Sequence, residues 1–407
     1  MDIKLSSPKL KRNITLPSSK SEAHRYLLCA ALTKGGARIP CHSPSKDVEA
    51  TLGVLSALGA KSEYKNGCFE VTPINASGKI TADCGESGTT LRFMLALCAA
   101  LGVSAEFTCH GRLASRPLFP FDEMMRAAGV TVTQNENTVK IEGKMPENAS
   151  WSIDGSVSSQ FISGMLFALT LCGGTLTVTG KCESKPYIDL TVDIIKKFGG
   201  NITENGNTYT VRPSTLTSPE NVFVGGDWSG AAFPLCIGTV GKEAVVVSHL
   251  DLNSTQGDRA IITVLTEMGA KIEICGSTVT AHPSKLHGIK IDCANIPDMI
   301  PALAITALAA EGKTEFVNAK RLRYKESDRI SATCEMIRAL GGRADESEDS
   351  FIVYGTRITG GTVDSKNDHR IAMAASIAAF FTEGDVIIQD AECVDKSYPD
   401  FWNEFED

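Results

Sequence analysis

Several signatures are missing from this 407-residue chain, and each absence removes a class of function. It has no Walker A loop, no GxGxxG after a strand-like stretch and no carboxylate cluster of the magnesium-binding kind, so a nucleotide cofactor has no support. The 13 cysteines form no CxxC pair and no Cys/His spacing of the zinc type. They lie mostly in apolar segments, as at Cys29, Cys98, Cys172 and Cys236, where a free thiol packs as a small hydrophobe. A positive excess is missing as well, with 40 Lys and Arg against 48 Asp and Glu. A net charge of -8 excludes the broad basic face that nucleic acid or an anionic membrane requires. The longest apolar stretches, such as "FMLALCAALGV" at 93–103, fall short of a bilayer span, and no secretory leader precedes residue 30, so a cytoplasmic chain is expected.

What the chain does have is repetition. A Gly follows an amphipathic helical pattern at Gly59, Gly129, Gly199, Gly269 and Gly341, at steps of 70, 70, 70 and 72, and each is placed to end its helix in the left-handed conformation. Each is followed by a hairpin-like stretch, for example "NITENGNTYTVRP". In phase with them, six apolar helices are expected to begin near Lys20, Thr89, Gln160, Ser229, Asp298 and His369. Strand-like segments lie between and before the helices, so the unit reads β-α-β-α-β-β. The sixth unit runs out of chain after a second helix expected in "YPDFWNEFED", while "DIKLSS" and "KRNITLP" at the N-terminus belong to no complete unit. Both N-terminal strands are therefore expected to close the sixth. That divides the chain into two α/β domains of three units each, 19–225 and 1–18 with 226–407, in pseudo-threefold arrangement. Two short connections between them would form a hinge, and hinged halves suggest closure around a ligand.

Equivalent positions in the units carry equivalent charges. A cation precedes the expected second helix at Lys46, Arg116, Lys185, Lys325 and Lys396; a single one is usually a solvated side chain, but five in phase weaken that reading. Lys20, Arg25, Arg92 and Arg370 fall at first-helix starts, where the helix dipole already repels cations unless an anion lies between. Ser158, Ser229, Asp298 and Asp368 at the same places also fit plain helix caps. Together these patterns describe a cleft for a small polyanion bearing phosphate and carboxylate groups, on a protein that is otherwise acidic.

Nine segments in order carry a resemblance: "LPSSKSEAHR" (16–25), "ESGTTLRF" (86–93), "SRP" (115–117), "DGSVSSQF" (154–161), "SKPYIDLT" (184–191), "IPDM" (296–299), "RYKESDR" (323–329), "NDHRIAMA" (367–374) and "DKSYPDF" (395–401). Through them the chain resembles the 5-enolpyruvylshikimate-3-phosphate synthases over essentially its whole length. The resemblance implies two inverse α/β-barrel-like domains joined by a two-stranded hinge, no metal or organic cofactor, and shikimate 3-phosphate and phosphoenolpyruvate as small-molecule substrates. A monomer is expected. It further implies that the 5-hydroxyl adds to C2 of phosphoenolpyruvate and that phosphate then leaves the tetrahedral intermediate. By the same resemblance, Asp298 would take the hydroxyl proton, Glu326 would serve the methylene carbon, and Lys20 would lie near the bridging oxygen. Shikimate 3-phosphate would fall to Lys20, Ser21, Arg25, Ser158, Ser159, Gln160, Ser184, Tyr187, Asp298 and Lys325. Phosphoenolpyruvate would fall to Lys20, Gly88, Thr89, Arg116, Gln160, Arg329, His369, Arg370 and Lys396, with Gly88 letting backbone N–H groups approach an anion.

Two other readings compete. The sister enzyme acting on UDP-N-acetylglucosamine uses a cysteine before the Arg-Pro of the second unit, but "HGRLASRPLF" offers Ala114 and Ser115, with no thiol nearer than Cys109. A non-catalytic polyanion binder would have no need of Asp298 and Glu326. Glu86 and Arg321 depart from the family's usual pattern, Glu86 being tolerable near a phosphate only if it points away.

Overall fold

The computed structural model describes residues 1–406; Asp407, the end of the second expected domain, lies outside them. The chain forms two compact units, Ser18–Val224 and Met1–Pro17 with Gly225–Asp407, each around its own hydrophobic core.

In Ser18–Val224 the helices are α1 (Lys20–Leu32), α2 (Lys46–Ala57), α3 (Gly88–Leu101), α4 (Phe121–Ala127), α5 (Ser159–Cys172) and α6 (Lys185–Lys197). The other unit holds α7 (Trp228–Val240), α8 (Ile261–Glu267), α9 (Ile300–Leu308), α10 (Arg329–Ala339) and α11 (His369–Ala378). All five helix-stop glycines have left-handed φ, from +80° at Gly129 to +100° at Gly269. The steps near 70 in the sequence are thus a backbone signal.

One sheet pattern recurs. In the second repeat Lys79–Asp83 runs parallel to Ser104–Thr108, which pairs antiparallel with Thr138–Glu142, which pairs antiparallel with Thr131–Gln134. The third repeat (Ala149–Asp154, Gly174–Thr179, Thr208–Arg212, Asn201–Asn205) and the fifth (Lys290–Asp292, Lys313–Val317, Phe351–Tyr354, Arg343–Glu346) have the same order. In these three repeats the first helix spans the parallel step, as parallel strands require a crossover. Among the described residues the strands form separate open sheets of two to four strands and close no barrel.

The N-terminal strands divide their work differently from the expectation. Ile3–Leu5 pairs antiparallel with Val386–Gln389 and does complete the sixth repeat. Asn13–Thr15 instead lies parallel to Val245–Ser248 in the fourth, in the place that a strand-like segment just before α7 would have filled. Residues 219–225 form no strand, and the chain passes from one unit to the other at Val224–Gly225. The last expected α-helix is also absent: residues near "YPDFWNEFED" form the 3-10 turn Phe401–Glu404, and Phe405–Glu406 pairs with Lys9–Leu10. The pairing of Phe405–Glu406 as a strand draws the last residues out of a helix and leaves room for a short turn only.

Helix packing brings two helix starts together. α3 and α5 meet where a Cβ on Gly164 would lie 2.7 Å from the Arg92 carbonyl oxygen and 3.1 Å from Phe93 Cα, so only glycine permits the approach. Cys275 is exposed and Cys68 and Cys182 are half-buried, while the other ten cysteines are buried as free thiols. No helix among the described residues is long and apolar enough to cross a membrane.

Candidate active site

The unit Ser18–Val224 gathers its chemistry at the starts of α1, α3 and α5. Ser19 caps α1 by accepting from the Glu22 N–H, and Lys20 follows as the first helical residue. The anion its position demands is partly internal: Lys20 Nζ lies 2.9 Å from Asp47 Oδ2, in the first turn of α2. Arg25, one turn on, is buried and makes four hydrogen bonds, to Thr191 Oγ1 (2.7 Å), the Ser21 carbonyl (2.7 Å), Ser163 Oγ (3.3 Å) and the Tyr187 carbonyl (2.8 Å). Burial pulls its pKa down to about 10, which leaves it cationic at neutral pH. It therefore binds α1 to α5 and α6, fixing Ser21 and Tyr187 from behind.

At α3, Ser87 is the cap and Gly88 the first helical residue. A Cβ on Gly88 would stand 2.9 Å from Arg116 Nη1 and 3.1 Å from Arg92 Nη1, so two guanidinium groups crowd the open backbone. Arg92 Nη1 donates to Gln160 Oε1 (2.6 Å), and Gln160 Nε2 donates to Thr89 Oγ1 (2.8 Å). Gly88, Thr89, Arg116 and Gln160, assigned together from the sequence, are thus neighbours. Arg92 belongs with them and was left off that assignment; its one signal was a cation in a first helical turn. Ser158 accepts from the Gln160 N–H and so caps α5, as the simpler reading allowed, with Ser159 buried beside it. Ser184 precedes α6 with φ +55° and is buried. Lys46 is exposed, whereas Lys185 is held by Asp189 (2.5 Å) and Glu204 (3.0 Å). Glu86 points toward the Gly111 turn: a Cβ there would meet its Oε2 at 2.7 Å.

In the other unit a single guanidinium organises the carboxylates. Arg329, fully buried at the start of α10, donates from Nη1 to Asp298 Oδ1 (2.7 Å), from Nη2 to Glu326 Oε2 (2.7 Å) and from Nε to Asp368 Oδ2 (2.8 Å). Burial alone would lower its pKa, yet Asp368, Glu326 and Asp298 outweigh that and raise it. Lys325 Nζ also reaches Asp298 Oδ1 (3.0 Å), although burial lowers its pKa. Asp298 is therefore no helix cap. Asp368 is one, accepting from the Arg370 N–H at 2.9 Å, with His369 as the first residue of α11. At α7 the cap is Asp227 rather than Ser229, whose hydroxyl donates to buried Asp258. Burial first, then the charges of Asp298 and Asp227, push the Asp258 carboxyl up to about 7.

Arg370 is buried with Nη2 3.9 Å from Asp227 Oδ2 and 4.0 Å from Asp298 Oδ2. Its Nε and Nη1 have no hydrogen-bond partner among the described residues. A buried cation with unmet donors is suited to an anionic ligand. Lys396 Nζ donates to the Asn367 carbonyl (2.5 Å), next to Asp368, His369 and Arg370 in sequence. Asp227, Asp258 and Asp368 were not assigned to the site from the sequence, because a capping or buried Asp has no distinctive spacing.

Fold and clusters together define a class: a repeat-built α/β protein whose helix starts carry buried arginines beside carboxylates. The match to one family is extensive. The family model described as EPSP synthase (3-phosphoshikimate 1-carboxyvinyltransferase) covers residues 6–405. A Clostridium novyi protein named 3-phosphoshikimate 1-carboxyvinyltransferase is 37% identical over 423 residues, spanning 100% of this chain and 97% of its own. One so named from Clostridioides difficile is 35% identical, covering 99% and 96%. An EPSP synthase structure from Acinetobacter baumannii superposes with a TM-score of 0.80 at 27% identity over 99% of this chain and 97% of that one. The enolpyruvyl transferase NikO from Streptomyces tendae shares the fold, with a TM-score of 0.77 at 17% identity over 99% and 96%. The chain belongs to the EPSP synthase family.

Proposed function

We infer that the chain transfers the enolpyruvyl group of phosphoenolpyruvate to the 5-hydroxyl of shikimate 3-phosphate, releasing phosphate, in the shikimate pathway. The observation that carries this is the family match across residues 6–405, joined to the grouping of Asp298, Glu326 and Lys325 around Arg329.

The addition needs two proton transfers, one from the hydroxyl and one to C3, and the elimination takes one back from C3. In the addition, the 5-hydroxyl oxygen bonds to C2 of phosphoenolpyruvate while its proton leaves to a base and C3 gains one, so the methylene becomes a methyl. In the elimination the C2–O bond to phosphate breaks, a proton leaves C3, and the double bond re-forms. Asp298 is the base for the hydroxyl, and Glu326 serves C3; Arg329 holds the two carboxylates in place. Lys20 assists at the bridging oxygen.

The anions are divided between residues by chemistry. Ser21, Arg25, Ser158, Ser159, Gln160, Ser184, Tyr187 and Lys325 serve shikimate 3-phosphate, several of them through hydroxyl or backbone donors. Gly88, Thr89, Arg116, Gln160, Arg370 and Lys396 serve phosphoenolpyruvate, where Arg92 joins them through Gln160. Arg329 and His369 complete that set, Arg329 chiefly by fixing carboxylates. The enzyme acts as a monomer in the cytoplasm and needs no metal or organic cofactor. Transfer to UDP-N-acetylglucosamine is not favoured, since the loop before Arg116 holds Ala114 and Ser115 and its nearest thiol, Cys109, is buried.

The test is phosphate release. It is expected only when phosphoenolpyruvate and shikimate 3-phosphate are both present. Release with UDP-N-acetylglucosamine in place of shikimate 3-phosphate, or none with either acceptor, would overturn the reading.

A further inference from the structure

Inside Ser18–Val224, four buried polar side chains form a line that the reaction does not itself explain. His24 Nδ1 lies 2.7 Å from Thr51 Oγ1, Thr51 Oγ1 lies 2.7 Å from Thr90 Oγ1, and Thr90 Oγ1 donates to Ser87 Oγ at 2.7 Å. All four are buried, and they join α1 and α2 to the cap of α3. His24 Nε2 is buried with no hydrogen-bond partner among the described residues.

The direction of the line follows from counting protons. Each threonine hydroxyl has one hydrogen to donate. Thr90 gives its hydrogen to Ser87, so toward Thr51 it accepts, and Thr51 must be the donor there. The Thr51 hydrogen is then engaged, which makes Thr51 the acceptor for His24 and assigns the imidazole proton to Nδ1. Nε2 is left as a bare lone pair, and that is the ring atom without a partner. A second proton there would place a charge in a dry pocket beside Lys20 and Arg25, and burial, followed by those two cations, lowers the His24 pKa well below its ordinary value. The ring is neutral at working pH, so the line runs one way, from His24 to Ser87.

Its end point is chemically informative. Ser87 Oγ accepts both the Thr90 hydroxyl and the Thr90 backbone N–H (3.3 Å), which fixes the first turn of α3. That turn carries Gly88, against Arg116, and Thr89, against Gln160. We propose that His24 is a positioning residue for phosphoenolpyruvate: through Thr51 and Thr90 it locks Ser87, and so holds Gly88 and Thr89 in register with Arg116 and Gln160. The proposal rests on the assignment of those four residues to phosphoenolpyruvate.

The test is a steady-state comparison of single variants. His24→Leu, which removes the His24–Thr51 link, and Thr51→Val, which removes the links on both sides of Thr51, are each expected to raise the KM for phosphoenolpyruvate about tenfold or more, as for the loss of one or two buried hydrogen bonds, with kcat and the KM for shikimate 3-phosphate within about twofold. The double variant is expected to match the worse single one, since one broken link opens the whole line. His24→Asn, whose amide N–H can replace Nδ1–H, is expected to stay near the unmodified enzyme. Should His24→Leu fail to fold, Thr51→Val, far smaller a change, carries the comparison. Equal losses in Asn and Leu variants, or parallel losses for both substrates, would overturn the proposal. Arg116→Ala separates the two levels. If it raises the KM for phosphoenolpyruvate and Thr51→Val does not, the His24 line fails alone; if Arg116→Ala leaves that KM unchanged, the substrate assignment fails and takes the proposal with it.

Discussion

Glu326→Gln is expected to lower kcat about a thousandfold, within the range that a positioned acid or base contributes, while both KM values stay within about threefold. The replacement keeps the shape of the side chain and an oxygen that can accept from Arg329 Nη2, now 2.7 Å from Glu326 Oε2. What it removes is the ability to carry a proton. Loss of turnover with retained affinity is the pattern for an interaction made only in the transition state. An unimpaired rate would take Glu326 out of proton transfer and leave Asp298 to be considered alone.

The second large effect concerns stability as well as rate. Arg329→Met is expected to cost about 3–5 kcal/mol, because it takes from Asp298, Glu326 and Asp368 the fully buried cation that all three accept from. For a unit of this size that corresponds to a fall in Tm of about 10 °C. Protonation relieves stranded carboxylates, so the deficit should be smaller at pH 5 than at pH 8; this follows from the folded variant binding more protons than its unfolded chain over that interval. Arg329→Lys should recover little, since one ammonium cannot reproduce a planar fork aimed at three acceptors. Thermal unfolding across pH checks both statements. A change under 1 °C, equal at both pH values, would mean that the carboxylates do not depend on Arg329.

Much of the fold was legible because it is written in local signals repeated at a fixed spacing. The helix-stop glycines, the hairpins behind them and the six apolar helices each obey a short-range rule, and repetition removed the ambiguity of any single instance. The misses have particular causes. Asn13–Thr15 joins the fourth sheet and not the sixth, a choice between two open edges that nothing inside "KRNITLP" decides. Asp227 and Ser229 are both good caps two residues apart, and only the helix start at Trp228 distinguishes them. At the site, cations at helix starts stood out because they break a local rule. Their partners did not. Asp47, Asp368 and Asp258 are ordinary carboxylates until the fold sets them against Lys20, Arg329 and Ser229, residues 27, 39 and 29 positions away. Arg25 and Arg329 show the converse: both were assigned to substrate from sequence, and both have most of their donors engaged by the protein.

The central claim is that enolpyruvyl transfer passes through addition and then elimination, with a proton delivered to C3 and another removed. Running the reaction in heavy water and examining the vinyl methylene of the product by mass spectrometry and NMR tests it directly. Solvent deuterium enters when the methylene becomes a methyl, and rotation of that methyl lets either isotope leave in the elimination. The account predicts deuterium in the product's methylene at every turnover level, with its appearance slowed in Glu326→Gln in step with phosphate release. A product formed at full rate with no deuterium would contradict it.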